Sequence, residues 1–105
     1  MSVSLWITAK RDVEIYKKNI TYNLSKMYYK ALDEELGFRK LKGLTCKEAL
    51  PIINKAINDM VANADEYKKL NPANGWGSYD GLLIAFREIR NVCEENPDGI
   101  FDMDL

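Results

Sequence analysis

The sequence predicts one α+β domain over residues 1–105, a small sheet of N- and C-terminal strands packed against three helices in the order β(β)αααβ. Three observations carry that prediction. Val3, Leu5, Ile7 and Ala9 alternate with Ser4, Trp6 and Thr8 at one end of the chain, and Phe101, Met103 and Leu105 alternate with Asp102 and Asp104 at the other. Such a period of two marks half-buried strands. Between them apolar residues recur at helical spacing, punctuated by Gly37, Gly43 and Asn71-Pro72. A two-stranded ribbon is marginal alone, so the terminal strands are expected to pair and the helices to cover their apolar face.

Each element has its own warrant. Lys10-Arg11-Asp12 reads as a turn, with Val13, Ile15 and Tyr16 returning as a short second strand. From about Asn19 the spacing of Ile20, Leu24, Met27 and Ala31, widened by Tyr28 and Leu32, predicts the first helix, stopped by Gly37. Phe38 and Leu41 then tuck under a basic connector, Arg39 to Gly43. Thr45 and Glu48 form a capping box for the second helix, whose stripe is Leu50, Ile53, Ile57, Met60, Val61 and Ala64. It is expected to kink at Pro51 and to run to about Lys69. Ser78 or Asn74 caps the third helix, with Leu82, Leu83, Phe86, Ile89 and Cys93 on its buried side. Asn96-Pro97-Asp98-Gly99 is a turn into the last strand.

Composition narrows the function classes. The chain is 47% hydrophobic and 30% charged, which fits an ordinary globular domain. Its net charge of −1 hides an asymmetry, +5 over residues 1–55 (11 Lys/Arg, 6 Asp/Glu) against −6 over 56–105 (4 and 10). Folded segments of opposite sign can neutralise one another, attract an anion to the first half, or favour homo-oligomers. There is no histidine, and Cys46 and Cys93 make no CxxC pair, so neither a metal site nor an activated thiol is expected. Both thiols read as buried or incidental. The N-terminal residues lack the features of a secretory signal, and a cytoplasmic protein is expected. No apolar run reaches the roughly 18 residues that span a bilayer, so no membrane role is expected. Glu34/Glu35 and Glu94/Glu95 look solvated rather than catalytic, and no enzyme activity or cofactor is foreseen. Asp98, Asp102 and Asp104 lack cation-loop spacing. Arg39-Lys40-Leu41-Lys42 is too short a basic run to argue for nucleic acid.

One composition stands out. Asn71 to Gly81 contains three glycines, two asparagines, Trp76 and Tyr79 at a helix entrance, and Asn19 to Asn23 offers amides and a hydroxyl at another. Amides read polar edges, aromatic rings stack on planar groups, and free N–H groups at a helix start attract anions. If the two entrances meet, Asn19, Thr21, Asn23, Asn74, Gly75, Trp76, Gly77 and Tyr79 would line a pocket for a nucleotide-like small molecule. Lys17, Lys18 and Lys26 would add positive charge. Caps and ligand donors use the same residue types, so the same words also read as caps and a tight turn.

The words Asn19 to Met27, Asn71 to Tyr79 and Cys93 to Asp98 resemble a group of small uncharacterised proteins carried by phages and bacterial genomes. The group's first word has the form N-I-T-H-N, from which Tyr22 departs. The resemblance implies a binding protein acting in the host cytoplasm, sequestering a nucleotide-derived signal of a host defence system. The alternative it implies is a protein-interaction module that inhibits a host enzyme or defence complex through the Tyr28/Tyr29 region or a free sheet edge.

Overall fold

The computed structural model describes residues 2–9, 13–75 and 77–104. The expected turn at 10–12, Trp76 and Leu105 lie outside them. Strands β1 (Ser2–Ala9), β2 (Val13–Thr21) and β3 (Ile100–Asp104) form one antiparallel sheet in the order β2-β1-β3. The terminal strands pair as expected, Leu5 opposite Met103 and Ile7 opposite Phe101. Val3, Leu5, Ile7, Phe101 and Met103 are all buried on the inner side. On the outer side a row runs Lys17, Trp6, Asp102 across the three strands.

Helices α1 (Ser25–Ala31), α2 (Cys46–Ala62), α3 (Ala64–Lys68) and α4 (Tyr79–Glu95) cover the inner face. The two long helices, α2 and α4, pack on each other, and the stripe Leu82, Leu83, Phe86, Ile89 and Cys93 is buried throughout. The capping box is present in full: the Glu48 N–H donates to Thr45 Oγ1, and Glu48 Oε1 accepts from the Thr45 N–H. These bonds hold the Glu48 carboxyl below its ordinary range. α2 continues through Pro51 as one helix, with that residue on its exposed side where water can serve the deprived carbonyl.

Three expectations are corrected. Asn19 to Thr21 do not open a helix but complete β2, because Ile20 pairs with Val3 and buries against the core. Tyr22–Leu24 form a 3₁₀ turn, and α1 begins only at Ser25. That helix stops near Leu32 rather than at Gly37. Asp33 Oδ1 accepts from the N–H groups of Glu35 and Leu36, a turn that competes with helix continuation and lowers the Asp33 pKa. The second helix divides at Asn63, whose side chain donates to the Asp59 carbonyl and to Asp59 Oδ1. Val61, placed on the stripe, is 52% exposed.

No described polar side chain is buried without a partner. Tyr67 is fully buried, and its hydroxyl donates to Asp59. Burial, with that bond, holds its phenol well above the ordinary value. Burial also pushes Tyr28 up to about 12, its Tyr29 and Tyr22 neighbours adding to the rise and Arg39 opposing it. A folded-state pKa raised above the unfolded value near 10 gives stability that is full below pH 10 and is lost as pH climbs through the folded value. The expected outcome is alkaline unfolding that begins above pH 10 and steepens by about 1.4 kcal/mol per pH unit for each buried phenol. Denaturant titrations between pH 9 and 12, with tyrosinate absorbance, measure it. Tyr67→Phe should reduce the slope.

Candidate functional site

The loop between α3 and α4 lies against the junction of β2 and α1. A Cβ on Gly77 would stand 2.9 Å from Leu24 Cγ and 3.0 Å from Thr21 Cγ2, so the backbone there touches both side chains. Gly77 also has φ of 96°, a conformation that only glycine takes without strain. Asn74 Nδ2 donates to Asn23 Oδ1 at 3.4 Å. The two segments therefore meet.

Tyr79 explains why the loop lies there. Its N–H donates to Asn71 Oδ1 at 2.8 Å, closing the loop on itself. Its hydroxyl donates to the Met60 carbonyl at 2.6 Å. That carbonyl lies in the last turn of α2, where the helix runs out of backbone donors. Ser78 caps α4 by accepting from the Gly81 N–H at 3.1 Å.

Of the eight expected site residues Trp76 lies outside the described ones, and the other seven do not share one place. Asn23 and Asn74 line a hollow of about 510 Å³ together with Tyr22, Ser25, Lys26, Lys69, Leu70, Asn71, Pro72 and Ala73. Thr21 lies beneath Gly77, its hydroxyl accepting from the backbone and side chain of Asn23. Gly75 is exposed in the turn. Asn19 is on the outer face of the sheet, where its Oδ1 accepts from Ser4 at 2.6 Å. Tyr79 is 5% exposed, and its hydroxyl is taken, so it positions the loop and cannot stack on a ligand. Of the three lysines, Lys26 lines the hollow. Lys18 pairs with Glu88 at 3.6 Å, and Lys17 stands beside Trp6 on the outer face.

A second hollow of about 440 Å³ adjoins the first across Tyr22 and Ser25, and Val3, Tyr28, Tyr29, Leu36, Phe38 and Arg39 complete its lining. Tyr28 and Tyr29 stack with ring centroids 5.4 Å apart, and the Arg39 guanidinium reaches the Tyr29 hydroxyl at 3.5 Å. Tyr28 is 3% exposed, so the expected docking region there reduces to Tyr29, Leu36 and Arg39. The sequence signal that could have found this hollow is the tyrosine run 22, 28, 29 ahead of Arg39. No protein-family model, curated protein or solved structure matches the chain.

Three substitutions separate the turn from its support. Gly75→Ala, which meets open space at φ 74°, should cost about 1–2 kcal/mol from the left-handed backbone alone. Gly77→Ala adds overlap with Leu24 and Thr21 and should cost about 2–4 kcal/mol. Tyr79→Phe leaves the Met60 carbonyl unpaired, for a loss of about 1–3 kcal/mol. Urea denaturation of the three variants tests both the order and the sizes.

Proposed function

We propose that the chain is a non-enzymatic binding protein for an anionic, planar small molecule of the nucleotide class. The observation that carries this reading is the shared wall formed by Tyr22 and Ser25. On one side of it lies a hollow with Lys26, Lys69 and three asparagines, and on the other a hollow with Tyr29 and Arg39. Each volume falls within the range that small ligands occupy. Tyr22 and Tyr29 would hold the planar part by stacking, Asn23, Asn71 and Asn74 would read polar edges, and the cations would take the negative charge. Sequestration of a nucleotide-derived defence signal in a host cytoplasm, the role implied by the phage-type resemblance, is the biological form of this proposal.

Calorimetric titration with mononucleotides, cyclic nucleotides and short oligonucleotides tests it. At least one should bind, with affinity reduced by about 1–3 kcal/mol in Tyr22→Ala and further in Lys69→Glu. Absence of heat and of thermal shift across the panel overturns the proposal. A second reading, an inhibitor that recruits a protein strand, is supported by β2, a nine-residue strand at the edge of the sheet. A stoichiometric protein partner retained by Tyr22→Ala and lost on substituting Lys17→Pro at that edge would favour it.

A further inference from the structure

Cys46 and Cys93 are separated by most of the helical region, yet their Sγ atoms stand 2.8 Å apart, and both side chains are fully buried. Cys46 is the first residue of α2, and Cys93 lies two residues before the end of α4. A disulfide bond is about 2.05 Å long, so closure needs a movement of under about 1 Å.

The surroundings give the two sulfurs different parts. The Cys93 thiol donates to Cys46 Sγ, which lowers the Cys46 pKa from its ordinary value, and the N-terminus of α2 acts in the same direction. Cys93 is raised by that same bond and by burial, and it lies at the negative end of α4. Cys46, at the positive end of α2, is placed to act as the nucleophile, and Cys93, at the negative end of α4, as the resolving thiol. One turn of the chain covers Cys46. The Cys46 N–H donates to the Gly99 carbonyl at 2.7 Å and the Lys47 N–H to that of Pro97 at 3.0 Å, so the turn 96–99 lies directly on the start of α2. Gly99 presents no side chain, and a Cβ there would stand 3.2 Å from Cys46 Sγ. The same turn lines a surface hollow of about 340 Å³ with Ala9 and Ile15.

We propose that Cys46 and Cys93 form a reversible dithiol–disulfide site whose oxidant is hydrogen peroxide. The Cys46 thiolate attacks one peroxide oxygen and the O–O bond breaks. The other oxygen leaves with the electron pair and, taking the proton that Cys46 gave up, departs as water, leaving Cys46 as a sulfenic acid. The Cys93 sulfur then attacks Cys46 Sγ. The S–O bond breaks, and the departing hydroxide takes the Cys93 proton as a second water. Two thiols and one hydrogen peroxide give one disulfide and two waters. The bond closes a loop of 48 residues (46 to 93 inclusive) and joins the start of α2 to the end of α4. It lies about 21 Å along α4 from Tyr79, at 14 residues and roughly 1.5 Å per residue, so the corner at the other end keeps its shape.

Treatment of the reduced, folded wild-type chain with hydrogen peroxide tests the site. The expected result is a tryptic species in which the Cys46 and Cys93 peptides are joined, about 2 Da lighter than their sum and reversed by dithiothreitol. The melting temperature should rise by on the order of 10 °C. Cys93→Ala and Cys46→Ser should show neither change. Unlinked peptides after peroxide, conversion to sulfinic acid, or covalent dimers in place of the internal link overturn the proposal.

Discussion

The bond from the Tyr79 hydroxyl to the Met60 carbonyl ties the start of α4 to the end of α2, and the loop between them is placed by it. It takes up a carbonyl in the last turn of α2, and it does so from the first residue of α4. Because the Tyr79 N–H is also committed, to Asn71, the loop that joins α3 to α4 is held at both of its ends. The contact of Gly77 with Thr21 and Leu24 follows from that placement, and so do the hollow beside Asn23 and its neighbour beyond Tyr22. A residue chosen for its ring thus acts through its two polar groups.

Around this fixed point the interior is apolar, and polar atoms enter it only where they are paired. Among the described residues the largest fully buried side chains are Tyr67, Phe38, Phe86 and Phe101, and the Tyr67 hydroxyl finds Asp59. Charge is handled at the surface. Lys18 meets Glu88, and Lys30 meets Glu66 at 3.7 Å, so bridges join the basic first half to the acidic second half. Such exposed pairs add little stability. They do reduce the asymmetry that the linear sequence displays.

Much of this was legible in the residues. Alternation found β1 and β3, the helical stripe of α4 is buried at every position named, and Thr45 with Glu48 marked the start of α2. The misreadings have two causes, a distant strand partner in one case and a local side-chain hydrogen bond in the other two. Ile20 sits at helical spacing from Leu24, but pairing with Val3 draws it into a strand. Gly37 looks like a helix stop, whereas the Asp33 side chain ends the helix earlier by offering its oxygen to two backbone donors. Asn63 divides a continuous apolar pattern through a bond of its side chain. At the corner, contact between the two polar words could be posed from sequence but not decided. Tyr79 and the cysteines show the deeper limit. Neither the burial of the ring nor the meeting of two thiols so far apart in the chain leaves a trace in local spacing.

The pairing of β1 with β3 bears on how the chain is made. Ser4 lies opposite Asp104 and Thr8 opposite Ile100, partners separated by 100 and 92 residues. During synthesis at about 5–20 residues per second, β1 is made roughly 5–20 s before its partner. For that interval Val3, Leu5 and Ile7 have β2 alone beside them, and a two-stranded ribbon is marginally stable. Completion of the sheet therefore waits until the last strand has been made. Until then the apolar side of β1 has only β2 and the helices made before β3 to cover it.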